Sequence, residues 1–396
     1  MPEATLHFIN MKYSKHFNRF ILRPTRATLF AIVAALNTGL AMATVFSAYG
    51  GVFDPGKVVV AALMAMMFPG FLIASILFLI ADLVFWRKAA VVIAIGIVLS
   101  LPPILNFSPI NLGHRELTEA EKQRSFTFLT YNVLHFWDFR GNVPGLSRNA
   151  TIDYILSTDA DIVSLQEVEF LKSWPLWRIT PEQIDELSAR YPYRMVNASY
   201  QLTLLSKYPF EFVDLGIPEN ISRRFACFRI KIGGHTVHLF NVHLESIGLT
   251  PRDKELYQGL FEKAPGSEQA LRRELSLVKT QLVSKLAKAF EERTDQARAI
   301  RHAIDSIGGN FIVAGDFNDI PDCYAVRTIM DGDMTDAYAQ NALGPSITYH
   351  GNRFYFRIDH VLYKGDMDCV SLKRDTPPSS DHYPFLATFV FDDNKP

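Results

Sequence analysis

Apolar and polar positions divide this chain into two regions of different character. Three long apolar stretches come first: from about Ala27 to Tyr49, from Val58 to Trp86, and from Ala89 to about Leu105. A helix needs roughly 20 apolar residues to cross the hydrocarbon core of a bilayer. The first two stretches reach that length, while the third is shorter and ends at Pro102-Pro103. Pro69-Gly70 would kink the second, which membrane helices tolerate, and Asp82 lies near its end, where a charge can reach the interface. A secretory signal carries one short apolar core, so three successive stretches speak against that reading. The pattern predicts an N-terminal segment 1–26, a transmembrane helical anchor of three helices over 27–106, and a polar linker over 107–124.

Lys12, Lys15, Arg19, Arg23 and Arg26 precede the first stretch, whereas the first loop holds only Asp54 and Lys57. The second loop is the tight Trp86-Arg87-Lys88. Positive charge marks cytoplasmic segments. This places the N-terminus and the second loop in the cytoplasm. With three crossings, everything after Asn106 is then extracytoplasmic, periplasmic or on the cell exterior. That placement depends on the third stretch crossing.

Beyond residue 125 the pattern turns to a soluble α/β alternation. Short apolar runs predict strands at Phe126–Tyr131, Ile162–Leu165, Tyr193–Val196, Leu202–Leu205, Phe225–Ile230, Thr236–Val242, Phe311–Ala314, Asp359–Tyr363 and Leu386–Phe391. Gly233-Gly234 is a hairpin signal between two of them. Ile152–Ser157 reads as helical, and Leu271, Leu275, Val278, Leu282, Leu286 and Phe290 recur at steps of three and four, as on one face of a long helix.

Composition changes this picture little. Net charge is −1 and mean hydropathy +0.07, averages that hide the asymmetry between the two regions. No basic excess argues for a nucleic-acid partner, although a local patch can sit on a neutral protein. Cys227, Cys323 and Cys369 are far apart, which disfavours a zinc site or a disulfide framework.

The chemistry lies where strands end. Asn132 follows the Phe126–Tyr131 run, Glu167 follows Ile162–Leu165 through Gln166, and His243 ends Thr236–Val242. Asp316 and Asn318 follow Phe311–Ala314 across Gly315, Asp359 opens a strand, and Asp381-His382 precede the last one. Carboxylates are hard oxygen ligands suited to Mg²⁺, which binds through few of them together with water and substrate phosphate. Asn132 and Asn318 can orient a phosphate or an attacking water without adding charge. His243 and His382 can hydrogen-bond a phosphate or move protons. One such residue alone is more often a cap, a turn former or a satisfied core group. Six strand ends carrying them in one domain favour hydrolysis of a phosphate ester.

The segments Phe128-Leu129-Thr130-Tyr131-Asn132-Val133, Asp161 to Val168, Asn241-Val242-His243-Leu244, Gly315-Asp316-Phe317-Asn318, Arg357-Ile358-Asp359-His360 and Ser380-Asp381-His382-Tyr383-Pro384 occur in this order. The set resembles the successive motifs of the endonuclease/exonuclease/phosphatase superfamily, and the resemblance covers about Ser125 to Phe391. It implies a deoxyribonuclease-I-like four-layer α/β sandwich over 125–393, two facing mixed sheets flanked by helices with the cleft at one sheet edge. It implies Mg²⁺, with Mn²⁺ the alternative. Glu167 would then be the principal metal ligand with Asn132 nearby, and Asp381 would lie close to the metal. Asp316 would position or deprotonate the attacking water, helped by Asn318, and His382 would contact the scissile phosphate, polarised by Asp359. His243 would stabilise the transition state or protonate the leaving group; which histidine is acid and which is base stays open. Lys207 sits where the family often has a basic residue, and Arg293, Gln296 and Ala297 look familial.

No inositol-polyphosphate phosphatase or abasic-site signature accompanies these motifs. The substrate class therefore stays at nucleic acid, lipid head group or small organophosphate, and no protein partner is identifiable. The stretch from about Thr250 to Ala270 would border the cleft or be a surface insertion. The competing reading is a catalytically inactive, membrane-anchored binding or scaffold module of the same fold. Its cheap sign would be loss of Glu167 or His382, and both are present.

Overall fold

The computed structural model describes residues 25–113, 115–137, 147–168, 178–197, 200–248, 268–351 and 355–392. The expected N-terminal segment and the 250–270 insertion thus lie almost wholly outside the described residues. The chain forms two compact units, one of Met1–Ser47 with Met67–Leu101, the other of Ala48–Met66 with Pro102–Pro396.

The first unit holds helices Arg26–Ala48, Phe68–Phe85 and Arg87–Leu99. Among the described residues two helices are long and apolar enough to cross a membrane, Phe68–Phe85 and the one beginning at Arg26, and a third span exists if the pair Arg87–Leu99 and Leu101–Phe107 counts as one. That pair is bent by 63°. Pro102 and Pro103, in the first turn of its second half, have no N–H to continue the ladder of the first. The second apolar stretch is also broken: Val59–Met66 and Phe68–Phe85 are separate helices. Pro69 sits at the start of the latter, where its missing N–H costs nothing, so it begins a helix rather than kinking one. Asp82, in the last turn of that helix, is buried; it accepts a hydrogen bond from Asn37 Nδ2 (2.5 Å), which also donates to the Ala89 carbonyl (3.1 Å). Thr44 and Ser75 join hydroxyls at 2.8 Å. Such polar bonds hold neighbouring membrane helices where no hydrophobic force separates lipid from protein.

The second unit contains two six-stranded mixed sheets. Its strands are β1 (Ser125–Asn132), β2 (Ile162–Gln166), β3 (Tyr193–Asn197), β4 (Leu202–Ser206), β5 (Phe210–Val213), β6 (Phe225–Ile232), β7 (His235–His243), β8 (Asn310–Asp316), β9 (Thr335–Asp336), β10 (Asp359–Lys364), β11 (Met367–Arg374) and β12 (Phe385–Phe391). One sheet runs β11-β12-β1-β2-β4-β3 and the other β5-β6-β7-β8-β10-β9. All nine expected strands are present; β5, β9 and β11 are additional.

Alternation along these strands creates three apolar seams. Phe126 and Phe128 of β1 face Phe228, Leu239, Ile312 and Val361 of the other sheet. Leu129 and Tyr131 point the opposite way, onto Ile152, Ile155 and Leu187 of helices Ala150–Thr158 and Pro181–Arg190. On the far side Phe240, Val242 and Val313 pack on Ala297, Ile300 and Ile304 of helix Glu268–Ile307. Helix, sheet, sheet and helix thus stack as four layers, the deoxyribonuclease-I-like arrangement.

The 107–124 stretch, expected as a linker, lies along the domain. Ile110 bridges to Leu343, and Asn111 Nδ2 donates to the carbonyls of Ala339 (3.0 Å) and Ala342 (2.9 Å). Thr118 and Glu121 close a capping box on helix Glu119–Gln123. These contacts are hydrogen bonds of polar side chains, which hydropathy patterning does not register.

Phe389 joins the sheets, with its ring 5.4 Å from Phe126 and 5.4 Å from Tyr363 of the facing sheet. Phe389→Ala should therefore cost roughly 3–5 kcal/mol, read from urea unfolding of the chain in detergent. A loss below about 1 kcal/mol would show that this ring does not couple the sheets.

Candidate active site

Register assembles the site. His243 of β7 and Asp359 of β10 both pair with Asp316 of β8, so three chemical groups stand side by side at one sheet end. On the other sheet Asn132 pairs with Gln166. Asn132, Gln166, His243, Asp316 and Asp359 share strand parity with the inter-sheet core residues Phe128, Ile162, Leu239, Ile312 and Val361. Their side chains therefore point into the space between the sheets, beyond the end of the apolar seam.

A polar layer separates seam from site. Gln166 Nε2 donates to Thr130 Oγ1 (3.2 Å) and to Asn241 Oδ1 (2.8 Å) across the sheets, and Asn241 Nδ2 donates to the carbonyls of Leu165 (3.0 Å) and Thr203 (3.1 Å). Above it, Asn132 Nδ2 donates to Glu167 Oε1 (3.1 Å) and Asp316 Oδ2 (3.0 Å). Glu167 departs from strand parity: a left-handed φ of 53° turns it inward after β2. Gly315 has φ 137°, and a Cβ there would lie 2.0 Å from the Val242 carbonyl oxygen. Only glycine lets β8 approach β7 this closely.

His382 is 4% exposed: its Nδ1 meets Asp359 Oδ2 at 2.9 Å and its Nε2 faces Asp316 Oδ2 at 3.6 Å. His243 Nε2 lies 3.8 Å from the same Asp316 oxygen and 3.7 Å from Glu167 Oε1. Ser380 Oγ donates to the Asn132 carbonyl (2.8 Å) and accepts from His382 N (3.2 Å), so the loop before β12 is sewn to β1. Burial pushes the Asp316 carboxyl above its usual range, with the neighbouring histidines opposing it. For His382 burial favours the neutral ring, yet Asp359 and Asp316 outweigh it and hold the imidazolium up to about 10.

Among the described residues two trios could hold a metal ion: Glu167, His243 and Asp316, and Asp316, Asp359 and His382. Asp381 belongs to neither. Its Oδ1 is buried without a hydrogen-bond partner, and burial raises its carboxyl, with Glu167 adding to the rise. An orphaned carboxylate oxygen beside Glu167 is what an oxygen-ligated cation would satisfy, so the donor set fits a hard divalent ion.

Asn318, φ 51°, donates its backbone N–H to Asp316 Oδ1 (2.8 Å) and its side-chain amide to the Leu244 carbonyl (3.0 Å). Arg293, 1% exposed, holds the same loop by donating to the carbonyls of Asn318 (2.7 Å) and Glu245 (3.0 Å), and Gln296 accepts from Glu245 N (3.0 Å). Lys207 is away from these groups, donating to the Asp159 carbonyl (2.7 Å) and pairing with Asp161 (3.2 Å). Two residues join the site that sequence reasoning missed. His135 Nε2 lies 3.6 Å from Glu167 Oε2, and the Tyr349 ring is 5.0 Å from that of His382. Neither ends an apolar run; a histidine three residues after Asn132 was the available signal for the first.

The profile of the endonuclease/exonuclease/phosphatase family matches residues 129–382, and the chain belongs to that family. Its members are typically hydrolases of phosphate esters that use a divalent metal. A profile of a domain of unknown function matches residues 29–107. Among solved structures, the chain is similar to an endonuclease/exonuclease/phosphatase from Beutenbergia cavernae DSM 12333, at 18% identity over 68% of this chain and 72% of that one, TM-score 0.42. It is similar to one from Bacteroides vulgatus, at 20% over 68% and 99%, TM-score 0.41. Truncated Caenorhabditis elegans TDP2 matches at 19% over 69% and 100%, TM-score 0.41. No curated protein matches the chain.

Because Asp359 is the close partner of His382, Asp359→Asn should lower the ring's titration midpoint in the metal-free chain. Proton NMR of the imidazole reads this directly. The wild-type ring should stay protonated through neutral pH, and an unchanged midpoint in the variant would refute the pairing.

Proposed function

We propose that this protein is a membrane-anchored, Mg²⁺-dependent phosphoesterase that hydrolyses a phosphodiester or phosphomonoester by attack of water. The observation that carries the reading is the continuous network from Asp359 through His382 and Asp316 to Asn132 and Glu167, drawn from both sheet ends.

Glu167 would hold the ion, with Asp316 and the orphaned Asp381 facing the same space and Asn132 keeping Glu167 and Asp316 apart. When bound, the ion neutralises charge developing on the phosphoryl oxygens. Asp316 accepts the proton of the attacking water, and the Asn318 N–H on its other oxygen fixes the carboxylate plane. His382, kept charged by Asp359, donates from Nε2 to a phosphoryl oxygen. His243 stands on the other side of Asp316 as a second donor. Two imidazoles flanking one carboxylate can divide oxyanion stabilisation and leaving-group protonation between them.

Two helices near the N-terminus of suitable length and apolarity support anchorage. The cluster of Lys and Arg before Ala27 supports a cytoplasmic N-terminus and an extracytoplasmic hydrolase domain. Substrate would then be met at the bilayer surface, which raises the effective concentration of a lipid or surface-bound ester.

Full-length protein in detergent should hydrolyse bis-p-nitrophenyl phosphate or p-nitrophenyl phosphate with Mg²⁺, and lose that activity with a chelator. Asp316→Asn should lower kcat by roughly 10²–10⁴-fold, and Glu167→Gln should raise the Mg²⁺ concentration needed for half-maximal rate. Activity indifferent to both substitutions would sink the assignment.

A further inference from the structure

The first interhelical segment, residues 48–66, belongs to the same compact unit as the sheets. Its contacts fall on two neighbouring elements, the loop from Phe317 to Cys323 that follows Asp316 and helix Glu268–Ile307. A Cβ at Gly51 would lie 1.8 Å from the Asp322 carbonyl oxygen and 2.9 Å from the Cys323 carbonyl carbon, so backbone meets backbone there. Asp54 accepts from Arg298 Nη2 (2.8 Å), and Arg298 also donates to Tyr324 OH (2.9 Å). Ala65 packs on Ile320 and Cys323, and Ala62 packs on Leu286 and Phe290 of helix Glu268–Ile307. Asn106 adds a bond from its Nδ2 to Asp322 Oδ1 (3.0 Å).

The same loop is gripped from its other side by groups already tied to the site. Arg293 holds the Asn318 carbonyl (2.7 Å), His360 Nε2 meets the Asp319 carbonyl (2.9 Å), and Phe317 N donates to the Ile358 carbonyl (2.9 Å). Asp322 has a left-handed φ of 63°, a conformation that costs a non-glycine residue unless its surroundings impose it. Gly51 packs against that residue's carbonyl.

We infer that residues 48–66 are a positioning element of the hydrolase, holding the loop that follows Asp316 and carries Asn318, and that this segment and the catalytic domain share one side of the membrane. The inference rests on the roles proposed above for Asp316 and Asn318. It has a consequence for topology. If the segment before Phe68 and the chain after Pro102 share a side, the membrane is crossed an even number of times between them. Helix Phe68–Phe85 leaves that side, so the chain returns through Arg87–Leu99 and its bent continuation.

The test uses full-length chain in membranes, with bis-p-nitrophenyl phosphate and Mg²⁺. Gly51→Val should lower kcat about fivefold or more while KM moves less than about twofold, because the loop shifts and the substrate surface does not. An unchanged kcat overturns the inference. Should that variant fail to accumulate, Arg298→Asp replaces it: kcat should fall, and Asp54→Arg in the same chain should restore part of it, whereas no fall, or no rescue, overturns the inference. Independently, Asp54→Cys and Arg298→Cys should react with a membrane-impermeant maleimide from the same side and Lys88→Cys from the other; the three native cysteines are buried. Labelling of Asp54→Cys and Arg298→Cys from opposite sides overturns it. A wild type without phosphoesterase activity would refute the proposed function instead, and the labelling would still decide the placement.

Discussion

Asp316 stands in register with His243 on one neighbouring strand and Asp359 on the other, and the period of two along each strand then dictates what lies beneath them. Beneath Asp316 come Ala314 and Ile312, beneath Asp359 come Val361 and Tyr363, and all four are in the inter-sheet core. A one-residue slip of β10 would turn Asp359 outward and bring His360 in. His360 instead faces Arg357 and the Asp319 carbonyl, on the opposite side of the sheet. The apolar seam therefore does two things with one pattern. It holds the sheets together, and it fixes which polar residue projects from each strand end.

Concentrating carboxylates at such an end is costly, because each buried charge forfeits its hydration. The protein offsets the cost by alternating sign along the network: Asp359, His382, Asp316, His243 and Glu167 succeed one another with separations from 2.9 to 3.8 Å. Asn132 adds a neutral donor to the same two carboxylates that His243 lies between, Glu167 and Asp316. A second such arrangement lies behind the site, where Arg357, 1% exposed in its side chain, donates to Asp336 at 2.8 Å and covers the Tyr338 ring at 4.6 Å. Burial disfavours the Asp336 carboxylate, but Arg357 and His360 reverse this and hold it well below the usual range. That pair is structural: Asp336 also caps helix Ala337–Asn341 by accepting from Tyr338 N (2.8 Å).

Strand ends were legible because a polar residue at the border of an apolar run is a local signal, closing the run at four places and opening it at two. The elements that escaped have local reasons. β11 carries a register shift between Cys369 and Ser371, which breaks the alternation a strand is read from. β5 is an edge strand whose middle residues are exposed, and β9 is only Thr335–Asp336. The bond of Asp82 to Asn37 was not legible because the two residues are 45 positions apart and each is hidden in an apolar helix. The place of Asp381 came from a motif; that its Oδ1 is buried without a hydrogen-bond partner is a property of the folded loop before β12. His135 sits on a left-handed turn, φ 54°, which no hydrophobic pattern anticipates.

The boundary between anchor and enzyme was the least legible feature, and physics explains why. Val59–Met66 is as apolar as a membrane helix, so hydropathy merges it with Phe68–Phe85. Apolarity alone does not say whether a side chain is buried against lipid or against protein. Ala61, Ala62 and Ala65 are small enough for a helix to sit close on another surface, and all three are buried. By contrast Ile73, Leu77, Ile80 and Val84 of the following helix are exposed, as a lipid-facing stripe would be. A run of small apolar residues next to a run of large ones is thus a change from a face packed on protein to a face left exposed. It falls at Met67, where the helix breaks, and it shows why a hydrolase domain cut at residue 125 would leave part of its own packing behind.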